Sequence, residues 1–444
     1  MSSDDNNRAN WGSKLGFILA AAGSAVGLGA IWKFPYVAGK NGGGAFLIAY
    51  LVCVFTLGIA LLLAEMVIGR TAKKSATTAY RDLKGGLWPW AGRLSVLCVF
   101  IILCYYCVVG GWTVAYIGRS ITGEALTTDT KLLASAFASF IASPTQALGY
   151  TAVFLGITVA VVLGGVEKGI ERMSKVLMPA LFALMLLLIA RALTLPGAWE
   201  GVRYFVTPDF SKMTPAMIVD ALGLAFFSLS IGGGMIIAYG SYVSKETKLV
   251  GATLWVSTLA TLACVLAGLM VLPAVFAFHV DPAAGPGLTF ITMPAIFAQM
   301  PGGQLFAIAF FLLLLFAALT SSVSILEPIV SFLIDEFGMT RQPATFAVAI
   351  ASFIIGIPAA LSFGPMADTL LFGMNAFDLM DYVASNVMMP AGGLLAALFV
   401  GWAIWPRVKD ELAAEGATAV LPAFRIICAV VAPILIGVIW VHNL

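Results

Sequence analysis

The chain has 444 residues, of which 61% are hydrophobic and only 10% charged, and its formal net charge is +2. Soluble domains carry about 25% charged residues, so this composition excludes an ordinary soluble domain, and the near-neutral charge gives no sign of a nucleic-acid partner. Long apolar runs without a strict alternation indicate an all-α polytopic membrane protein rather than a transmembrane β-barrel.

Eleven apolar segments are long enough to cross a bilayer, which takes about 20 helical residues. A shorter apolar segment at 285–300 is bracketed by Pro and Gly and predicts a re-entrant or capping hairpin. We treat the whole chain, 1–444, as one transmembrane domain. The predicted spans one to eleven cover 14–38, 43–70, 89–120, 147–165, 169–195, 215–243, 249–278, 302–337, 343–361, 370–404 and 423–443.

The distribution of basic residues orients these spans in the membrane. Seventeen of the 24 Lys and Arg residues fall in the segments on the same side as the N-terminus. The positive-inside rule therefore predicts a cytoplasmic N-terminus in a cell inner membrane. Since the number of spans is odd, the C-terminus is expected outside.

Span one carries glycines and the Phe34-Pro35 pair where a simple crossing would carry Leu, Ile and Val. The stretch AAGSAVGLGAIWKFPYVAGKNGGGAFL occupies 21–47. In hydrocarbon each unpaired backbone group costs several kcal/mol, so unwound backbone is tolerated only where it lines a site. A broken helix presents N–H groups at one half-helix end and carbonyls at the other, which suit an anion and a cation. The pattern predicts a binding site.

Span six contains three adjacent glycines, 232–234, within FFSLSIGGGMIIAYGSYV. Spans one and six are each the first in a group of five, and breaks at corresponding places indicate an inverted-repeat transporter. Close helix packing through small residues is the alternative, but it does not explain three adjacent glycines or their repetition. We predict repeat one at about 14–195, repeat two at about 215–404 and an extra helix at about 423–443.

The motifs GSAVGLG-x-x-W-K-F-P, NGGGAF, KGIERMSKVLMP, FFSLSIG and ALTSS resemble those of the bacterial neurotransmitter:sodium symporter family. The resemblance implies a LeuT-type fold: a 5+5 inverted repeat with broken helices 1 and 6 and eleven transmembrane helices. It implies a sodium-coupled amino-acid symporter working by alternating access, and no enzyme. A single-sodium or proton-coupled carrier of small amino acids remains open, as does a non-transporting sensor or channel. The oligomeric state is not indicated.

The resemblance implies a second sodium site built from carbonyl and hydroxyl oxygens, which can replace the hydration shell of a hard cation. Hydroxyls that only bond the preceding helical turn are the alternative reading. The implied ligands are Gly23, Val26, Ala317, Thr320 and Ser321.

The family's first sodium site is incomplete in this chain. Ala30 stands where the family usually has asparagine, and Ala260 where it usually has an amide or carboxylate. Ala25 and Ser228 remain as ligands, and it stays open whether the site is absent, rebuilt from other groups or altered by substitution. No chloride is expected, because Leu224 replaces the family's glutamine beside Tyr50.

For the substrate, the resemblance places an α-carboxylate against the N–H groups of Leu28 and Gly29 and the Tyr106 hydroxyl. Gly233 stands where a relative has phenylalanine, which leaves space for a bulky side chain or for Met235 to fold in. We expect a bulky hydrophobic or aromatic amino acid. The implied substrate residues are Ala25, Leu28, Gly29, Ile102, Tyr106, Phe227, Ser228, Ser230, Gly233, Ser321 and Ile325.

Charges within or beside the spans are implied to form two gates. Lys33 and Asp381 would form the outer gate, and Arg8 and Asp335 the inner gate, aided by Trp11, Ser241 and Tyr242. In span five, Gly169 and Pro179 match the family's G-x9-P motif. Glycine and proline both lower the cost of unwinding a helix, so this end of span five is expected to open.

Overall fold

The computed structural model describes residues 9–278 and 288–443, and regular structure there is helical apart from isolated β-bridges. Nine of the described helices are long and apolar enough to cross a membrane, and a bent pair makes a tenth. The nine are Gly44–Ala72, Pro89–Thr122, Pro144–Leu163, Val166–Leu193, Leu249–Ala277, Gly303–Phe337, Arg341–Leu361, Ala376–Ala403 and Thr418–Val441.

Span one is the bent pair, and the predicted break is confirmed. Its halves, Lys14–Ala25 and Gly29–Lys40, meet at an angle of 54°. The hydroxyl of Ser13 caps the first half by accepting from the N–H of Gly16 at 3.0 Å. Since the halves are joined by non-helical residues, backbone groups at the joint are free for other partners.

Span six is broken more completely, into Pro215–Ser228 and Met235–Ser241. The connecting segment needs left-handed backbone at Ser230 (φ 57°), Gly232 (φ 94°) and Gly234 (φ 70°). Such angles suit glycine, which accounts for two of the three glycines. Neither half of span six is long enough to cross alone. Among the described residues, ten of the eleven predicted spans are therefore seen as long crossings, counting the bent pair as one, and span six is made of two half-helices.

Several helix ends differ from the sequence predictions. Span four begins at Pro144 and span five at Val166, each slightly earlier than predicted, and span ten begins later, at Ala376. Of the predicted hairpin at 285–300, the described part forms a helix at Thr289–Ala298. Short helices between the spans were not predicted, since at 8 to 13 residues they are too short to be recognised as crossings: Ala76–Leu83, Thr130–Ala142, Ala198–Val206 and Trp405–Ala414.

The packing of the spans places both breaks in the middle of the bundle. Span three lies along span eight, and the second half of span six lies against span two. The first half of span one contacts spans five, seven and eight. The broken segments are therefore surrounded by protein, where unwound backbone is tolerated.

Candidate functional site

A cavity of about 330 Å³ lies where the breaks of spans one and six face spans three, eight and ten. All of the predicted substrate residues except Gly233 line it. These are Ala25, Leu28, Gly29, Ile102, Tyr106, Phe227, Ser228, Ser230, Ser321 and Ile325.

One wall of the cavity is polar. The N–H of Leu28 donates to the Tyr106 hydroxyl at 3.4 Å. Gly27 allows this approach, because a Cβ there would lie 2.5 Å from Ser321 Oγ and 3.1 Å from Tyr106 Oη. The start of the second half of span one thus presents a backbone N–H, a helix N-terminus and a hydroxyl in one place, an arrangement that suits a carboxylate.

The cavity lining also includes apolar and aromatic side chains. The ring of Phe227 lies against Gly29, where a Cβ would come within 2.2 Å of the ring. Ile102 and Ile325 belong to this apolar part of the lining. The site can therefore hold a small molecule that is charged at one end and apolar at the other.

At Gly233 the structure differs from the sequence prediction. The glycine does not line the cavity, and a Cβ there would lie 2.9 Å from both Met235 Cε and Val99 Cγ1. Met235 lines the cavity itself, and its sulfur accepts from the Ser24 hydroxyl at 3.8 Å. The space freed by the missing aromatic ring is occupied by Met235.

The residues of the predicted second sodium site come together between spans one and eight. Ser321 Oγ donates to the carbonyls of Gly23 and Ser24, both at 3.2 Å. Thr320 Oγ1 donates to the Ala317 carbonyl at 3.1 Å, and its Cβ lies 3.0 Å from where a Gly23 Cβ would stand. This set of neutral oxygens fits a small hard cation.

Val26, the remaining predicted ligand of that site, ends the first half of span one. Its backbone angles (φ −89°, ψ 66°) lie outside the helical region, and its N–H donates to the Ala22 carbonyl at 2.7 Å. The chain therefore leaves the helix next to the Gly23 carbonyl, where the prediction places a ligand.

At the predicted first sodium site, Ala25, Ser228 and Ala30 all line the cavity, and Ala260 is buried in span seven. The Ser228 hydroxyl already has partners, donating to the Ala225 carbonyl at 3.2 Å and lying 2.8 Å from the Tyr50 hydroxyl. Neither alanine offers a side-chain oxygen.

Tyr50 stands where the family's chloride ligand is implied, and its hydroxyl is fully buried in a small polar cluster. It lies 2.8 Å from Ser228 Oγ and donates to Cys264 Sγ at 3.3 Å. Leu224 is buried beside them. The Tyr50 hydroxyl therefore has both Ser228 and Cys264 as hydrogen-bond partners.

The predicted outer gate residues both line the cavity, but in the described structure they form no ion pair. Lys33 Nζ lies 4.9 Å from the centre of the Phe227 ring. Asp381 accepts from the Tyr105 hydroxyl at 2.7 Å and from Ser385 Oγ at 2.8 Å. Both charges thus line the cavity with separate partners.

Arg8 of the predicted inner gate lies outside the described residues. Asp335 accepts from the N–H of Ser75 at 2.5 Å. Trp11 lies beneath the cavity, where its indole N–H donates to the Tyr239 carbonyl at 3.0 Å and its ring packs edge-on against Tyr239 and Tyr242.

A buried ion pair beside the inner gate was not predicted. Arg341 pairs with Glu327 at 2.7 Å, and Glu327 also accepts from the Tyr242 hydroxyl at 2.7 Å. The sequence did carry a signal for Glu327, because an acidic residue within a span is a functional candidate.

Outside the spans, hydrogen bonds to the Glu336 carboxylate raise the pKa of Arg81 above its ordinary value.

Glu65 of span two supports the unwound part of span six by accepting from the N–H of Gly232 at 2.6 Å.

Gly169 lies in a π-helical turn, Val166–Glu171, at the start of span five, and a Cβ on it would lie 2.1 Å from the Val161 carbonyl. Pro179 lies inside the helix that follows, Arg172–Leu193, which stays continuous. Glu171 holds this end against span one, accepting from Gly12 N at 2.7 Å.

Comparisons with known proteins agree on one family. Residues 8–131 and 141–444 match the model of the Sodium:neurotransmitter symporter family. The chain is 43% identical to the sodium-dependent transporter YhdH of Bacillus subtilis, described as uncharacterized, over 91% of this chain and 89% of that protein. An uncharacterized sodium-dependent transporter of Haemophilus influenzae is 36% identical over the full length of both.

A solved structure extends the agreement to the fold. The crystal structure of MhsT in complex with L-phenylalanine matches 99% of this chain and 100% of its own with a TM-score of 0.90 and 41% identity. The predicted LeuT-type fold is thereby confirmed.

Proposed function

The chain belongs to the Sodium:neurotransmitter symporter family, and from this we propose that it is a sodium-coupled symporter of hydrophobic amino acids. It is a multi-pass membrane transporter and not an enzyme. The proposal rests chiefly on the cavity, whose lining combines a half-helix N-terminus and Tyr106 with apolar side chains that include Phe227. MhsT, similar over its whole length, was crystallised with L-phenylalanine.

A binding assay with purified protein tests the substrate class. Labelled L-phenylalanine should bind in sodium and not in potassium, and unlabelled Phe, Tyr, Trp, Leu and Met should compete better than Asp or Lys. Competition by charged amino acids alone would refute a hydrophobic substrate.

Each ligand has a proposed place in the cavity. The α-carboxylate lies against the N–H groups of Leu28 and Gly29 and the Tyr106 hydroxyl. The α-amine faces the carbonyls around Ala25 and Phe227. The side chain occupies the space between Ile102 and Ile325. Sodium binds at the second site, where carbonyls of span one and hydroxyls of span eight share one interface.

The transport cycle depends on the two gates and on the unwinding of span five. We place the N-terminus in the cytoplasm, so that Lys33 and Asp381 close the outer side while Arg8, Asp335 and Trp11 close the inner side. The two repeats rearrange around the fixed site, and span five unwinds at Gly169 and Pro179 to open a path inward. No chloride takes part, because Leu224 offers no polar group where the family has glutamine, and the Tyr50 hydroxyl already has Ser228 Oγ at 2.8 Å and Cys264 Sγ at 3.3 Å as neighbours.

We expect sodium to bind with a Hill coefficient of about one, since Ala30 and Ala260 supply no side-chain oxygens to the first site. Ala30→Asn should raise the coefficient and lower the half-saturating sodium concentration by adding an amide oxygen. Ala30→Leu, similar in size without that oxygen, is the matched control. Sodium-dependent substrate binding is the measurement, and a coefficient of about two in the unaltered chain would contradict a single site.

Met235, rather than Gly233, is expected to set the substrate size. Met235→Ala should improve binding of Trp relative to Ala by roughly tenfold, because it opens apolar space that a bulky side chain can fill. Competition binding measures the ratio. Met185→Ala, which removes a buried methionine away from the cavity, controls for a general loss of stability. An unchanged ratio would exclude Met235 as the size filter.

Two observations favour a second candidate function, a single-sodium or proton-coupled carrier of small amino acids. Met235 narrows the cavity, and the first sodium site lacks two oxygens. That carrier would bind glycine or alanine better than phenylalanine, which the same competition assay decides.

A further inference from the structure

Two apolar grooves on the membrane-facing surface meet at Arg93, near the start of span three. The first groove, of about 560 Å³, runs past Trp88, Trp90 and Leu94 to Leu395 of span ten. The second, of about 430 Å³, runs between spans three, eight and nine and is lined by Phe100, Ile329, Phe332, Leu333, Val348 and Ala351. Arg93 and Leu97 line both grooves.

Arg93 is the only charged residue among the described linings of these grooves. Within the described part of the chain it has no ion pair or hydrogen bond, and its guanidinium lies 4.6 Å from the centre of the Trp90 ring. It stands about 6 Å along the helix from Pro89, where span three begins. An exposed arginine at this depth can keep its charge at the headgroup level.

The neighbouring tryptophans mark the same depth. Trp88 and Trp90 line the first groove, and Trp90 is 63% exposed. Tryptophan is enriched where the apolar core of a bilayer meets the headgroups. Leu97 and Phe100 follow Arg93 at i+4 and i+7, so they lie on the same helix face at increasing depth.

We infer that this surface binds one phospholipid with two acyl chains and an anionic headgroup. Arg93 contacts the phosphate of the anionic headgroup, a charge-assisted and often bidentate contact that guanidinium favours. One acyl chain lies along each groove, separated by Leu97. A neutral apolar surface would accept any lipid, whereas the unpaired arginine between two grooves selects for charge and for two chains.

The test uses native mass spectrometry of the purified full chain in a neutral detergent. The probes are phosphatidylglycerol, phosphatidylcholine with the same acyl chains, and single-chain lysophosphatidylglycerol. We expect one phosphatidylglycerol to be retained more tightly than either of the others. Arg93→Gln should weaken this retention by about tenfold, the loss of a charge-assisted contact, while Arg93→Lys should restore part of it.

Two further variants decide whether the grooves matter. Leu97→Trp, at a position 52% exposed, should block both grooves and reduce phosphatidylglycerol retention. Arg119→Gln, which removes a half-buried arginine from the other end of the same helix, should leave retention unchanged. The assignment would be overturned if phosphatidylcholine or the single-chain lipid were retained as tightly as phosphatidylglycerol. It would also be overturned if either Arg93→Gln or Leu97→Trp had no effect on retention. Substrate binding in sodium reports the proposed function separately.

Discussion

Replacing Thr320 and Ser321 together by alanine is expected to abolish sodium-stimulated binding and transport. Their hydroxyls lie against the Gly23 carbonyl and the Ala317 carbonyl, between spans one and eight. Alanine removes two oxygens that would replace the hydration shell of sodium. Since changes even in groups behind metal ligands cost 10–100-fold in affinity, the half-saturating sodium concentration should rise by at least about 100-fold.

Ser322→Ala is the matched control for that double variant. Ser322 follows directly in the same helix, but its hydroxyl faces Thr158 Oγ1 at 2.8 Å and the Leu319 carbonyl at 3.1 Å, away from span one. The control should keep its sodium response. A double variant that folds in detergent and retains normal sodium stimulation would remove the second site from the mechanism.

Asp381→Asn is expected to slow transport at least about tenfold while changing outside substrate binding little, because breaking one partner of an ion pair that becomes buried costs several kcal/mol. The amide keeps the size of the side chain and its contacts with Tyr105 and Ser385. What it loses is the charge that Lys33 meets when the outer side closes. Initial uptake rates and equilibrium binding must therefore be measured on the same preparation.

The control for the gate is Asp378→Asn. Asp378 also lines the cavity, one turn before Asp381, but its carboxylate accepts from the Asn375 amide at 2.8 Å. The Asp378→Asn variant should transport substrate at nearly the normal rate. Normal uptake by Asp381→Asn, or an equal loss in both variants, would show that Asp381 is not a gate.

The breaks in spans one and six could be predicted from sequence because they depend on local backbone chemistry. Glycines 232 and 234 adopt left-handed angles that few other residues tolerate, and Gly27 lies in the break of span one, where a Cβ would come within 2.5 Å of Ser321 Oγ. Such signals are carried by the residues themselves. The cavity residues of spans three and eight, Ile102, Tyr106, Ser321 and Ile325, carry no such local signal and were predicted only through the family resemblance.

Features that depend on side chains meeting across the bundle could not be predicted in this way. The sequence at Gly233 left two outcomes open, a free space or a space filled by Met235, and only the packing across the bundle shows that Met235 lies there. Lys33 and Asp381 were predicted as a pair, but pairing depends on the conformation, and here each has another partner. Arg341 and Glu327 lie on consecutive helices, and only the fold shows that they meet.

The most direct test of the central claim is uptake of labelled L-phenylalanine into proteoliposomes that contain the purified protein. An inward sodium gradient should drive accumulation above the outside concentration, and a sodium ionophore should collapse it while a protonophore should not. Replacing sodium by potassium on both sides should abolish uptake. Accumulation that needs a proton gradient instead of sodium, or entry that only equilibrates the amino acid as a channel would, would contradict sodium-coupled symport.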